Sequence, residues 1–504
     1  MHASSPVDPL RAALSSVLAR PENGSCIEVI DASTGETVHR VREYGAEEVD
    51  GLIASTTGAA DRWRSLEVFA RVRALLAWAD GLEDRREELA ELTARETGAL
   101  RAEAGLDVDR AVACLRHYAG LVGKVDGRVL GGVPGHFGHT AREPFGVVGG
   151  ITAPNSALST FAWQAAPALA AGNGFVLHAH AEAPLGPIVM AHLAREAGID
   201  AVAVFTGPAS LSAHLAGHES VGMVAYTGSV ETGREVVRAS AGPIVPLTLN
   251  LASRNNAFVL PSADLAKAVP SVLHSRFSCA GQNWFGASHV YVHVSLYEEF
   301  VTRAAALARR ITVGPALDPD VLMGPLRSEA ACARLVETVS AGVAAGAEVR
   351  AGGGRVSGLA GGGYHEPTLV VGAGPENPLR AEPVAGPVLS VSPYTDDAAV
   401  AAEANATRSG AVAQIWGRDA GAVKALADRL DVGTVWINTH DALSPEIAMT
   451  AWRDSGYGAA GGPDAVDACT RTKMIMWDVT PLAGRVPAFA GIATAADTEG
   501  SRNV

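Results

Sequence analysis

The sequence has no surplus of basic charge. Its 504 residues carry 40 Lys+Arg against 54 Asp+Glu, a formal net charge of -14. Nothing is left over to neutralise phosphates, which excludes an electrostatically driven nucleic-acid binder. It points instead to a soluble chain with an acidic surface. Cysteine is scarce: Cys26, Cys114, Cys279, Cys332 and Cys469 are odd in number, widely spaced and form no C-x-x-C pair. That excludes a disulfide framework or a structural zinc site. No histidines fall at a metal-site spacing such as H-E-x-x-H, although His178 and His180 share one strand face and His289 and His293 another, so no metal is expected. Met1 to Arg20 lacks the basic start, apolar core and small-residue cleavage site of a signal peptide, and the cytoplasm is the expected location. Phe145 to Ala181 contains no Asp, Glu, Lys or Arg. Pro154, Asn155, Gln164, Pro167, Asn173 and several glycines interrupt it, so it is not read as a membrane span.

What is present is material for large cores. Hydrophobic residues make up 48% and charged residues 19% of the chain, and the length suggests about three structural units. Leu66 to about Leu100 reads as a surface helix pair, with Phe69, Val72, Leu75, Leu76 and Leu82 at three- and four-residue steps. From Phe145 the pattern alternates strictly. Strands are expected at 145–151, 175–177, 201–205 and 221–226, with helices at 157–171, 185–197 and around 211–216 between them. Such alternation predicts parallel βαβ units in a doubly wound sheet. Ligands on such sheets bind beyond the carboxyl ends of the strands. A second α/β block runs from about Asn250 to Gly433, with the Gly-rich tract 351–363 as a loop, and the chain is irregular from Trp436. No internal repeat is present.

Three places carry chemistry. Tyr226-Thr227-Gly228-Ser229-Val230-Glu231-Thr232-Gly233 lies where a strand turns into a helix. Ser229 can cap that helix, whose free N–H groups suit a pyrophosphate, though a simple capped turn has the same pattern. Asn155 follows the first strand of the alternating block, where its amide could donate to an oxyanion; an Asx-turn at Pro154-Asn155-Ser156 is the alternative. Gly281-Gln282-Asn283-Trp284-Phe285-Gly286 is a turn ahead of a strand. Cys279, two residues upstream of it, fits a small core thiol as well as a nucleophile.

Taken in order, the segments resemble the aldehyde dehydrogenase superfamily from about Ile27 to Trp477. The resemblance rests on Asp31-Ala32-Ser33-Thr34-Gly35-Glu36, Glu143-Pro144-Phe145-Gly146-Val147-Val148, Ala166-Pro167-Ala168-Leu169-Ala170-Ala171-Gly172-Asn173, Tyr226-Thr227-Gly228-Ser229, Met323-Gly324-Pro325-Leu326, Glu366-Pro367-Thr368, Gly386-Pro387-Val388 and Gly433-Thr434-Val435-Trp436-Ile437-Asn438. It implies an α/β fold with a Rossmann-like cofactor domain over 27–124 and 145–249 and a catalytic-type α/β domain over 250–435. It also implies an oligomerisation β-arm from 125–144 and 470–480 and a return segment over 436–469. An N-terminal arm over 1–26 and a mobile tail over 481–504 complete the chain, and a homodimer or homotetramer is the expected assembly.

The resemblance also says where the family's chemistry would sit. Its nucleophilic Cys position holds Trp284, and its general-base Glu, in a Leu-Glu-Leu-Gly-Gly segment, corresponds to Asn250, whose amide cannot take a proton at neutral pH. The Lys that grips the adenosine ribose corresponds to His178, which could meet a 2′-phosphate. The Glu that holds the nicotinamide ribose falls at Pro383, with Glu382 one residue away. Retained are Gly228 and Ser229 at the pyrophosphate end, Asn155, and the backbone N–H of residue 284 as a second oxyanion donor. Cys279 lies five residues before Trp284, roughly 16 Å in extended chain. Three readings are open. One is a repurposed enzyme acting on an aldehyde, imine or related carbonyl compound by a non-covalent route, by hydride transfer if NAD or NADP binds and by non-redox chemistry such as dehydration, cyclisation or condensation if neither does. The second is an inactive scaffold. The third is an ordinary NAD(P)-dependent aldehyde oxidoreductase. A small-molecule substrate is expected, with no nucleic-acid or membrane partner.

Overall fold

The computed structural model describes residues 25–480, residue 360 apart. The expected tail over 481–504 and nearly all of the arm over 1–26 lie outside them; Cys26 itself opens the first strand, Cys26–Ile30, which pairs with Thr37–Arg42 across the turn at Ser33 to Glu36.

The alternating block forms a six-stranded sheet. Its spatial order is Gly456–Tyr457, Leu247–Leu251, Met223–Gly228, Val147–Ile151, Gly174–His178 and Val202–Phe205. All neighbours are parallel except the first pair. Helices Ala157–Ala170, Leu185–Glu196, Ser210–Ala216 and Val230–Ser240 make the crossovers. The chain winds outward from Val147–Ile151 through the next two strands, then returns to its other side at Met223–Gly228. That reversal opens a crevice beyond Ile151 and Gly228, the place where open α/β sheets take ligands. Gly456–Tyr457 closes one edge of this sheet, a pairing the irregular sequence after Trp436 does not announce.

The second sheet has seven strands in the order Glu348–Ala351, Thr368–Val371, Val388–Tyr394, Ala287–His293, Asn255–Val259, Val412–Trp416 and Thr434–Ile437, parallel apart from the first. Val, Leu and Ala from its strands pack against Leu265–Phe277 and Val294–Ala308 to form a core of its own. A third sheet joins Thr470–Asp478 to His136–Pro144 and Val129–Leu130, all antiparallel.

The helical region differs from the surface pair expected. Three helices, Val68–Asp84, Arg86–Thr97 and Arg101–Ala119, pack into the largest core of the molecule. The buried stripe of the first is Leu75, Trp78, Ala79 and Leu82, an i, i+3, i+4, i+7 set. Phe69, read as part of the apolar face, is 74% exposed and Leu76 36% exposed: they lie on the opposite side of the stripe that Trp78 anchors, its indole N–H donating to the Met190 carbonyl at 2.9 Å.

These helices also position the crevice, through two buried carboxyls. Helix Ala157–Ala170 starts after Ser156, which is left-handed at φ 51 and offers no side-chain cap. Asp107 supplies the cap from a neighbouring helix, accepting the N–H groups of Leu158 and Ser159 at 3.1 Å each and the Ser159 hydroxyl. Helix Leu185–Glu196, preceded by Pro184, is likewise uncapped by its own residues. Glu96 accepts from Leu185 N–H at 2.7 Å and Gly186 N–H at 3.3 Å. Each carboxyl satisfies orphan helix donors and meets the positive end of the helix dipole. Burial nevertheless pushes Glu96 up to about 8, against the pull of its two backbone donors.

Between the ordinary carboxyl range and about pH 8, folded Glu96 keeps a proton that the unfolded chain has released. Its contribution to stability is therefore full at the acid end of that window and lost as pH rises. Denaturant unfolding of the protein and of Glu96→Gln across this window should show the native protein losing stability relative to the Gln variant as pH rises. A difference that stays constant would contradict the assignment.

Candidate active site

A large cleft lies between the carboxyl edge of the six-stranded sheet and the amino edge of the seven-stranded one. It encloses about 2510 Å³ of empty space, part of it open to solvent. One wall follows strands of the first sheet: Ile151 to Asn155, His178 to Ala181, and Tyr226 to Thr232. The other precedes strands of the second: Gly281 to Trp284, Ala381 to Ala385, and Thr407 to Ser409. Asn155, Asn250, Trp284, His178, Gly228, Ser229 and Glu382, far apart in sequence, all line this one space.

Ser229 caps helix Val230–Ser240, its hydroxyl accepting Thr232 N–H at 3.2 Å. The N–H groups of Val230 and Glu231 have no intrahelical acceptor and remain for a ligand. Gly228 is dictated by Tyr226, whose hydroxyl reaches over to the Ser229 carbonyl at 3.1 Å. A Cβ at Gly228 would sit 2.2 Å from that hydroxyl oxygen.

Asn155 is not held in an Asx-turn. Its side-chain amide has no hydrogen bond among the described residues, and neither does the backbone N–H of Trp284; both residues line the cleft. Trp284 turns its carbonyl away to Asn255 Nδ2 at 2.7 Å. Asn255, 1% exposed, also takes Val412 N–H at 3.2 Å, so one buried amide staples this turn to the second sheet. The Trp284 ring meets Phe285 edge-on at 5.2 Å.

Behind Trp284 lies a second, mostly apolar pocket of about 830 Å³. Tyr226, Thr227, Asn250 and Trp284 line both spaces. Trp284 and Asn250, the positions that the resemblance implies for nucleophile and base, thus stand at the junction of the large cleft and the apolar pocket.

His178 requires a correction. It lies at the cleft wall but is 5% exposed, with Nδ1 at 2.9 Å from the Ser212 hydroxyl, Nε2 at 3.3 Å from the Gly207 carbonyl, and the ring stacked on Phe205 at 4.8 Å. Nε2 therefore donates to the carbonyl and Nδ1 accepts from Ser212. Burial lowers the ring to about 4, so it stays neutral and does not offer the charge that reading a 2′-phosphate needs. Its imidazole should show no titration between about pH 5 and about pH 8 in a histidine-selective NMR experiment, a window that covers the ordinary value; a midpoint near the ordinary value would contradict this.

Cys279 also departs from expectation. Residues 278–281 curl into a short 3-10 turn, with Cys279 at φ 49 and Ala280 at φ 52, so the extended-chain separation from the site does not apply. Cys279 lines a small cavity of about 420 Å³ that shares Pro154, Asn155, Gln282 and Arg327 with the large cleft. Its N–H donates to Glu103 at 2.9 Å. Burial and the Glu103 carboxyl push its thiol well up, which keeps it protonated and unreactive. No cysteine lines the large cleft among the described residues.

Several contributors carry no local signal. Arg276, 3% exposed, grips the carbonyls of Val384, Gly386 and Val388 and so fixes the loop that presents Glu382 and Pro383; burial lowers it to about 10. Arg327 pairs with Glu182 and reaches Gln282. Arg408 and Arg234 share Asp454 at the rim, and Arg408 holds that carboxyl low. Among the described residues no cluster could hold a metal ion, and no helix is long and apolar enough to cross a membrane.

The model of the aldehyde dehydrogenase family matches residues 19–475. The chain belongs to that family. Its fold is shared with PnpE from Pseudomonas sp. WBC-3, which is 31% identical over 92% of this chain and 96% of that one, with a TM-score of 0.89. The NAD+ complex of aldehyde dehydrogenase from Bacillus cereus is 29% identical over 90% and 94% of the two chains, TM-score 0.88. An E. coli NADP dependent enzyme is 28% identical over 91% and 95%, TM-score 0.88.

Proposed function

We propose that this aldehyde dehydrogenase family member acts on an aldehyde, imine or related carbonyl compound without a thiohemiacetal intermediate. The observation that carries the reading is the junction: Trp284 and Asn250 occupy it, and among the described residues no cysteine lines the large cleft, while Cys469 on the apolar pocket is buried with its thiol pushed up. Asn155 and the Trp284 N–H, both uncommitted, would hold a carbonyl oxygen and polarise the bond. Asn250 cannot act as a base at neutral pH. Space persists on both sides of the Trp284 ring, which favours a working pocket over a filled scaffold.

The residues present fit a nicotinamide dinucleotide in part. Gly228, Ser229 and the free N–H groups of Val230 and Glu231 would hold its pyrophosphate, and Glu382 stands on the wall expected to meet a ribose. Bound there, the reduced cofactor would supply a hydride to the polarised carbon. Neutral His178 gives no preference for NADP over NAD.

The test is to install Trp284→Cys together with Asn250→Glu. The native protein should give no aldehyde-dependent NADH formation, and the double variant should gain it. A double variant that binds NAD+ yet stays inert counts against the assignment of these two positions, and so against the reading.

We also propose that the third sheet joins copies of this chain. Thr470–Asp478 is an edge strand, and Val129, Met474 and Trp477 are 77%, 63% and 58% exposed. Exposed apolar side chains on a free edge invite strand pairing. Light scattering should give the mass of a dimer or tetramer, and Met474→Asp with Trp477→Asp should reduce it; a monomer in the native protein would contradict this.

A further inference from the structure

With the proposed reaction at the junction, the apolar pocket behind Trp284 is the substrate chamber, and the selectivity inferred for it rests on that reading. Its volume comes from small side chains, Ala225, Ala459, Ala460 and Ala465, facing the rings of Trp163 and Phe285. Arg110 is the one formally charged residue lining it, among the described residues. A free guanidinium on an apolar wall would select a carboxylate, because the bidentate, charge-assisted pair is strong where water is scarce.

Arg110 is not free. Its Nη2 lies 2.6 Å from Asp441 Oδ2, and the two side chains are 18% and 20% exposed. Asp441 does not line the pocket; it reaches the guanidinium from behind. It stands on a segment in which Asn438 and Asp441 both have φ 54, the left-handed conformation that Asn and Asp adopt more readily than other residues with a side chain. An uncharged ligand meets a wall whose charge is already cancelled. A carboxylated one would lose its hydration and find the charge of Arg110 already balanced by Asp441.

We propose that the Arg110–Asp441 ion pair is a specificity device that restricts the chamber to uncharged, apolar substrate bodies, aromatic or aliphatic, and rejects those ending in a carboxylate. The pair does not touch the reacting atoms. It acts by withholding Arg110, and releasing Arg110 should reverse the preference.

Calorimetric titration of cinnamaldehyde and 4-carboxycinnamaldehyde into the native protein, Asp441→Asn and Arg110→Met separates this from a structural role. The native protein should bind the uncharged aldehyde roughly tenfold or more tightly than the carboxylated one, and Asp441→Asn should strengthen the carboxylated ligand by roughly tenfold while leaving the uncharged one unchanged. Arg110→Met should bind the uncharged ligand, and Arg110→Met combined with Asp441→Asn should abolish the gain. A merely structural pair would shift both ligands alike, and that result overturns the proposal, as does equal binding of the two ligands, or of neither, by the native protein. Binding with the expected selectivity but no turnover with any dinucleotide supports the pocket inference and sinks the proposed reaction.

Discussion

A buried carboxyl on one helix holding the start of another is the constraint on which the cleft depends. Asp107 takes the first N–H groups of Ala157–Ala170, so the turn from Thr152 to Ser156 has a fixed end. Asn155 sits in that turn with its amide uncommitted. Were the helix to rely on Ser156, left-handed and without a cap of its own, its first turn would fray and the amide would lose its aim. Glu96 does the same for the helix that comes after His178. Two acids buried in the helical layer thus decide where the carboxyl edge of the first sheet presents its polar groups.

The opposite wall is governed by buried positive charge. Among the described residues Arg276 has no carboxylate partner, and it is compensated by three carbonyls of one loop. Taking a guanidinium out of water for carbonyl partners alone is costly, and its return is a rigid loop at the cleft. Arg327 on this wall is paired to Glu182, and at the exposed rim Arg408 and Arg234 share Asp454; Arg110, paired to Asp441, lines the apolar pocket instead. The wall therefore keeps its form without a ligand, while the groups left free to donate are neutral: the Asn155 amide, the Trp284 N–H and the open turn of Val230–Ser240. That combination suits holding a polarised oxygen and a phosphate more than it suits proton abstraction or thiolate chemistry.

Much of the fold was legible because it is written in local pattern. The strands from Val147 to Gly228 and the helices between them arise from apolar runs cut by Gly, Pro and Asn, and the placement of a ligand site beyond Ile151 comes from their alternation. Ser229 was readable as a cap because capping is a local bond. What was not legible depends on partners distant in sequence. Nothing near Glu96 or Asp107 announces a helix end some 50 or 90 residues away. His178 reads as a cation until Ser212 and Gly207 close on it. Cys279 counts as remote until residues 278–281 curl and bring it beside Asn155. Gly456–Tyr457 is too short to show as a strand, yet it completes a sheet by pairing with Leu249 and Asn250. Phe69 matches a helical stripe by spacing alone, and only Trp78 decides which side of the helix is inside.

Among the described residues no cysteine lines the large cleft, and the proposed function requires that cleft to take a nicotinamide dinucleotide. Calorimetric titration with NAD+, NADH, NADP+ and NADPH, each alone, tests this most directly. Micromolar binding of at least one oxidation state is expected, with the phosphorylated and unphosphorylated forms bound comparably because His178 is neutral. No binding of any of the four at millimolar concentration would contradict it.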